Sequence, residues 1–194
     1  MSLRIEQDGR LRRVTLAAPE KRNLLDAELC RGLLRELRDA AADEGTGAIL
    51  IEADGQVFCS GVEPGAGDEL FGIGRTITKP LVAAVRGVAV SGGLALIANA
   101  HVVVAAQGTS FGLTDIREGK WSAAIYGAVA SAIGERRALE LSLTGRIFST
   151  ADAQAWGLVH VVAPAFELDD RASEIAVALA NANPEAVRAA LGHS

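Results

Sequence analysis

The sequence predicts an α/β domain whose sheet is at least partly parallel, on three observations. Short apolar runs of the length of buried strands occur at 47–53, 81–85 and 102–106. Around them, apolar residues recur at spacings of three and four, as in amphipathic helices. Glycines separate the two kinds of pattern. Strands that alternate with helices in this way pair in parallel, because each helix carries the chain back across the sheet.

The composition is typical of one folded domain. The chain has 194 residues, of which 49% are hydrophobic, and a formal net charge of −5. This length can bury a sizeable core without disulfides or metals. We therefore predict a single domain over 1–194, with a core over about 3–120 and a helical C-terminal part over about 121–194.

Charge and cysteine usage exclude several classes of function. Acidic and basic residues are interspersed, so neither nucleic acid nor an anionic membrane is an expected partner. Cys30 and Cys59 lack the spacing of metal ligands and the density of a secreted scaffold, which predicts reduced, structural thiols and no metal site. Residues 1–6 carry charge where a signal peptide needs apolar residues, and no apolar run reaches membrane-spanning length. A cytoplasmic protein is expected.

The first part of the chain predicts a hairpin, a helix and a loop. Segments 3–8 and 11–17 flank a Gly-Arg turn and have the length of two hairpin strands. Asp26 is placed to cap the helix that follows. The apolar stripe of that helix consists of Leu29, Cys30, Leu33, Leu34, Leu37 and Ala41. Because 63–78 is rich in glycine and lacks periodicity, it predicts a loop with at most a short helix over 68–77.

The remainder predicts further strands and then mostly helices. A helix over 92–99 separates the strands at 81–85 and 102–106. Ser149, followed three residues later by Asp152, resembles a capping box. The later predicted elements are helices at 122–133, 135–143, 149–157, 169–181 and 184–191, and a strand at 158–162.

Three stretches far apart in sequence carry the residues suited to chemistry: 58–63, 91–93 and 111–116. Glycines let the backbone approach a bound group, and the start of a helix directs free N–H groups to the same point. Two such amides facing one carbonyl oxygen would form an oxyanion hole, and an acid such as Asp115 could then move a proton. Each stretch also has a structural explanation, as a turn, as close helix–sheet packing, and as a helix cap or solvated acid.

Six motifs resemble, in the same order, those of the crotonase (enoyl-CoA hydratase/isomerase) superfamily, over about residues 3–190. They are 19–25, Phe58-Cys59-Ser60-Gly61-Val62-Glu63, 79–87, Ser91-Gly92-Gly93, Phe111-Gly112, and 143–149 continued by 155–159. The resemblance implies an α/β, crotonase-like spiral of ββα units with a helical C-terminal part. It also implies an acyl-CoA substrate, coenzyme A only as part of that substrate, no separate cofactor, and assembly as homotrimers or dimers of trimers.

The resemblance also assigns residues. The two oxyanion donors fall on the backbone N–H groups of Ser60 and Gly92. The residues expected to contact coenzyme A are Lys21, Arg22, Asn23 and Val62. Two cations in that loop suit phosphate groups, although surface solubility explains the same cations equally well.

The departures from the family pattern bear on mechanism. Hydratases of this family use two glutamates, and the first falls on Ala95, which has no proton to give. The second falls on Asp115, the predicted acid/base, while nearby Glu118 matches no motif and Glu63 is expected to be structural. One acid suffices to move a proton between two carbons. The segment 63–78 is short, which predicts an open acyl pocket.

The predicted function is therefore double-bond isomerisation or hydration of an enoyl-CoA in fatty acid metabolism. The alternatives are acyl-CoA thioester hydrolysis or decarboxylation, which the same oxyanion hole supports, and a catalytically weak acyl-CoA-binding subunit. His101, His160 and His193 lack metal spacing and a nucleophile at motif distance, so structural roles are predicted for all three.

Overall fold

The computed structural model describes residues 2–192 and confirms the predicted α/β class. The strands are β1 (Leu3–Asp8), β2 (Leu11–Leu16), β3 (Ala48–Ala53), β4 (Leu81–Val85), β5 (Val88–Val90), β6 (Val102–Ala106), β7 (Ser110–Gly112), β8 (Ile147–Ser149) and β9 (Val161–Ala163). The α-helices are α1 (Ala27–Ala42), α2 (Gly92–Ala98), α3 (Ala123–Ile133), α4 (Glu135–Thr144), α5 (Thr150–Ala155), α6 (Leu168–Ala180) and α7 (Pro184–Leu191). Short 3₁₀ helices lie at Pro19–Lys21, Leu70–Arg75 and Asp115–Glu118.

The strands form two sheets. The larger has the order β1-β2-β3-β4-β6-β9, in which the predicted hairpin β1–β2 is antiparallel and the other neighbouring pairs are parallel. The smaller has the order β5-β7-β8, with β5 and β7 parallel. Because parallel strands end at the same edge of a sheet, the residues after β5 and after β7 emerge side by side.

The larger sheet buries both of its faces, as its continuous apolar strands predict. In β3, Ile49 and Ile51 enter a core with α1 and α2, whereas Leu50 enters a second core beneath α6. The residues of α6 in that second core recur every four positions: Leu168, Ala172, Ala176 and Ala180. Alanines let α6 lie close to the sheet. A Cβ on Gly47, just before β3, would lie 2.0 Å from the carbonyl oxygen of Ala180.

Local signals in the sequence set several boundaries. The carboxylate of Asp26 accepts the N–H of Leu29 at 2.8 Å, so the predicted cap of α1 is confirmed. The capping box at Ser149 is also present. In the predicted loop 63–78, burial of three apolar side chains accompanies the 3₁₀ helix Leu70–Arg75. The last strand begins later than predicted. The N–H groups of residues 158 and 159 both donate to the carbonyl of Ala153 at the end of α5, so these residues do not pair with the sheet.

The two described histidines have structural roles. His101 Nδ1 accepts the N–H of Leu81 at 2.9 Å, and the backbone N–H of His101 donates to the oxygen of Leu81 at 2.8 Å. His160 makes the same pair of bonds with Val103, at 3.0 and 2.9 Å. Burial lowers the pKa of both imidazoles, which favours the neutral, accepting form. His193 lies outside the described residues.

No helix within residues 2–192 combines the length and the apolar character needed to cross a membrane. In the same part of the chain, no cluster of three or more His, Cys, Asp and Glu residues has the arrangement of a metal site.

Candidate active site

The smaller sheet brings the three candidate stretches together. Cys59 joins β5 as an extra strand segment: its N–H donates to Val88 O at 3.1 Å, and its carbonyl accepts Val90 N–H at 3.2 Å. On the other side of β5, Ser91 N–H donates to Gly112 O at 2.9 Å. The segment after β7 therefore lies next to the turn that begins α2, with the loop 58–63 on the opposite side.

Glycines at the start of α2 permit a very close approach of this loop. A Cβ on Gly92 would lie 2.7 Å from Val62 Cβ and 3.1 Å from Phe71 Cζ. A Cβ on Gly93 would lie 2.7 Å from Cys59 Cβ. Real Cβ atoms do not approach carbon this closely, so any larger residue would separate the loop from the helix.

The loop residue that packs against α2 with an unpaired amide is Val62, not Ser60. The N–H of Ser60 already donates to Arg22 O at 3.1 Å, so the assignment of Ser60 as a free oxyanion donor is wrong. Leu25 pairs with both neighbours of Val62, donating to Gly61 O at 3.0 Å and accepting from the N–H of residue 63 at 2.9 Å. The N–H groups of Gly61 and Val62, like that of Gly92, donate to no oxygen among residues 2–192. Of the two, Val62 is the residue that packs against Gly92.

Asp115 begins the 3₁₀ helix after β7 and is half-buried. Its Oδ1 accepts a hydrogen bond from Ser91 Oγ at 2.5 Å. Asp115 and Val62 line one cleft of about 530 Å³, whose far wall is the start of α3. An acid and an unpaired amide thus share a cavity large enough for a small organic group.

A model of the family described as enoyl-CoA hydratase/isomerase matches residues 65–193. The chain belongs to this family. A putative enoyl-CoA hydratase of Thermus thermophilus is 32% identical, over 94% of this chain and 79% of the relative. Mevalonyl-coenzyme A hydratase sidH of Aspergillus fumigatus is 31% identical, over 90% and 71%.

Solved structures of the family agree with the fold. The enoyl-CoA hydratase from Mycobacterium smegmatis superposes with a TM-score of 0.87 at 30% identity, covering 100% of this chain and 87% of that one. The expected crotonase fold is thereby confirmed, in a chain shorter than these homologues.

Relative to the family pattern that the sequence resembles, one acid is absent. Ala95 lies in α2 with 0% exposure, packed in the core. Its carbonyl accepts the side-chain N–H of Asn99 at 2.7 Å. Glu118 does not replace the missing acid, because it is exposed and pairs with Lys120 at 2.6 Å, and this hydrogen bond lowers the pKa of Glu118. Asp115 is the acid that this arrangement offers to a bound group.

The three residues of the loop expected to contact coenzyme A have different environments: Asn23 is buried, whereas Lys21 and Arg22 are exposed. Asn23 is fully buried: its Oδ1 accepts the N–H of Ala18 at 2.9 Å, and its Nδ2 donates to Asp54 O at 3.0 Å and Val57 O at 2.8 Å. The prediction that its side chain contacts coenzyme A is therefore wrong, because the side chain holds the loop from inside. The side chains of Lys21 and Arg22 are exposed and form no ion pair with other described residues.

A second cleft, of about 610 Å³, continues from the first between the 3₁₀ helix Leu70–Arg75 and α3. The two clefts share Asp68, Ala123 and Ala124, so they form one groove. Both free thiols are buried, and burial raises the pKa of Cys30 to about 11 and that of Cys59 to about 12. Such thiols stay protonated and unreactive, in keeping with the structural roles predicted for them.

Proposed function

We propose that this protein transforms an enoyl-CoA through a thioester enolate, with double-bond isomerisation ranked level with or slightly ahead of hydration. The observation that carries the proposal is that the N–H groups of Val62 and Gly92 are both unpaired in residues that pack directly against each other, and that Val62 lines one cleft with Asp115. Preorganised N–H donors stabilise negative charge most where water is excluded. The same pair would serve any reaction in which charge develops on a thioester oxygen.

The proposed isomerisation needs one acid. The Asp115 carboxylate removes a proton from the carbon next to the thioester, and the N–H groups of Val62 and Gly92 hold the enolate oxygen. Asp115 then returns the proton to the γ-carbon, so the double bond moves and no atom is gained or lost. Hydration would require Asp115 both to activate water and to supply the α-proton, because Ala95 has no group that can donate or accept a proton.

The proposal also covers the contacts with coenzyme A, the oligomeric state and the location of the protein. Exposed Lys21 and Arg22 are the proposed phosphate contacts, and half-buried Val62 remains a predicted contact of the thioester end. The proposed assembly as homotrimers or dimers of trimers is supported by two exposed apolar side chains on α4, Leu139 at 49% and Leu143 at 66%. A cytoplasmic location remains a prediction. The name of one rat relative, enoyl-CoA hydratase domain-containing protein 3, places that protein in mitochondria.

The test measures crotonyl-CoA hydration and 3-enoyl-CoA isomerisation in the wild type and in Asp115→Asn. We expect Asp115→Asn to lower the rate of whichever of these reactions the wild type catalyses by about 10²–10⁴-fold, the range for a general acid–base group. Glu118→Gln is the matched control, since it neutralises a neighbouring exposed acid and should leave the rate unchanged. Equal rates in Asp115→Asn and the wild type would refute the role of Asp115.

Two other outcomes identify the alternatives. Release of free coenzyme A without a change in the double bond would favour thioester hydrolysis. Acyl-CoA binding with no turnover of either substrate would favour a binding subunit.

A further inference from the structure

The turn that presents Gly92 begins with a serine in an unusual backbone conformation. Ser91 has φ 53° and ψ −118° and is 5% exposed. A positive φ costs little for glycine and considerably more for a residue with a Cβ. Arg22 and Asn23 also have positive φ, but Arg22, with ψ 33°, lies in the left-handed helical region, which side chains tolerate better. A glycine at position 91 would satisfy the backbone with less strain.

The side chain of Ser91 has a specific partner that glycine would lose. Its Oγ donates to Asp115 Oδ1 at 2.5 Å. The backbone of Ser91 is fixed on both sides, because its N–H donates to Gly112 O at 2.9 Å and its carbonyl accepts Ala95 N–H at 3.0 Å. The hydroxyl is therefore held in place by β7 and by α2, and it holds the carboxylate in turn.

This bond distinguishes the two oxygens of the acid. Oδ1 is engaged by Ser91, whereas Oδ2 has no hydrogen-bond partner in the described part of the chain. A fixed donor on one oxygen sets the plane of the carboxylate about its Cβ–Cγ bond. The other oxygen therefore points in a constant direction and is the one free to take a proton from a bound substrate.

We propose that Ser91 is a positioning residue for proton transfer: it orients the carboxylate of Asp115 next to the oxyanion turn that the same residue begins. The inference rests on the proposed function, in which Asp115 moves the proton. It accounts for a serine at a position whose backbone favours glycine. A purely structural role would instead make Ser91 important for stability, with activity following stability.

Two substitutions separate these roles. Ser91→Gly removes the hydroxyl and relieves the backbone, so we expect equal or higher thermal stability together with slower catalysis. Ser91→Ala removes the hydroxyl and keeps the positive φ, so we expect slower catalysis with lower stability than Ser91→Gly. Ser110→Ala is the control: Ser110 lies on the adjacent strand β7, outside the proposed machinery.

The experiment follows proton transfer directly, by NMR of deuterium exchange at the α-carbon of a 3-enoyl-CoA in D₂O, alongside kcat, KM and acyl-CoA affinity. For both Ser91 variants we expect exchange and kcat to fall about 10- to 100-fold, the effect of a misplaced catalytic group. KM and the affinity for acyl-CoA should stay within about threefold of the wild type. In Asp115→Asn, adding Ser91→Ala should cause no further loss, because the two residues act as a unit.

The outcomes distinguish the inference from the function on which it rests. Wild-type exchange in Ser91→Gly, with exchange lost in Asp115→Asn, would overturn the role of Ser91 and leave the proposed function standing. Wild-type exchange in Asp115→Asn would overturn both. Loss of acyl-CoA affinity in parallel with exchange in the Ser91 variants would point to a role in binding and would also overturn the inference.

Discussion

Replacing Gly92 by alanine tests the closeness of the two amides. Alanine suits the backbone in the first turn of α2, so the effect comes from space alone. The new Cβ would lie 2.7 Å from Val62 Cβ, and contacting carbons need about 3.5–4.0 Å, so the loop and the helix must separate by about 1 Å. We expect a loss of about 10²–10³ in kcat, as when an oxyanion donor is removed. Overpacking should cost a further 1–3 kcal/mol or so of stability.

The assay combines steady-state kinetics on the substrate that the protein accepts with thermal unfolding. Gly32→Ala is the matched control, since Gly32 lies in α1 and its Cβ would meet only the end of the Leu3 side chain, at 3.3 Å. This control should retain wild-type kcat. A wild-type kcat in Gly92→Ala would refute the reasoning, because it would show that the spacing of Val62 and Gly92 does not matter to the reaction.

Two further predictions concern residues outside the cleft. Asn23→Ala leaves a buried N–H and two carbonyls without their partner, so we expect it to destabilise the protein by on the order of 3 kcal/mol in denaturant unfolding; a loss below 1 kcal/mol would contradict the structural role assigned to Asn23. Burial raises the pKa of Glu52 in the folded state. The folded protein therefore holds the Glu52 proton to higher pH than the unfolded chain does, and stability falls as pH rises above about 4.5 through the folded pKa. Glu52→Gln should thus gain stability relative to the wild type between pH 4 and pH 7, and an unchanged difference across that interval would contradict the prediction.

The fold followed from the sequence because local signals and long-range packing agree. The apolar runs are strands, the periodic stripe is α1, and the cap at Asp26 is present. Each of these signals depends on neighbours within about a dozen residues, so a single sequence contains them. The proximity of Asp115 to Gly92 also followed, through the resemblance, but its bond to Ser91 did not.

The choice between Ser60 and Val62 shows where the sequence was insufficient. Gly61 has φ 138°, a conformation that favours glycine, and it redirects the chain between these two residues. The N–H of Ser60, before it, donates to Arg22 O, whereas the N–H of Val62, after it, is unpaired, and the side chain of Val62 packs against Gly92. Spacing identifies the loop but not the direction of each N–H, which depends on one backbone dihedral. The glycine itself was the available signal that such a change of direction occurs.

Asn23 was misassigned for a related reason. Its position after two cations suggested a surface contact, but its φ of 51° identifies a left-handed turn, where asparagine is several-fold enriched. The side chain then turns inward to satisfy three backbone groups. A polar residue in a tight turn was as consistent with internal hydrogen bonding as with ligand binding, and burial decided between them.

The alanine-lined helix α6 has a consequence for how the chain acquires its structure. The buried residues on the face of the large sheet that α6 covers belong to β2, β3, β4 and β6, the last of which ends at Ala106, whereas Ala180 lies about 70 residues further along. At a synthesis rate of about 5–20 residues per second, α6 is complete roughly 4–15 s after these strands, and until then the apolar face is uncovered. During this interval the nascent chain exposes an apolar surface of the kind that chaperones bind. We therefore expect the yield of folded protein to depend on chaperones even if the folded protein itself is stable.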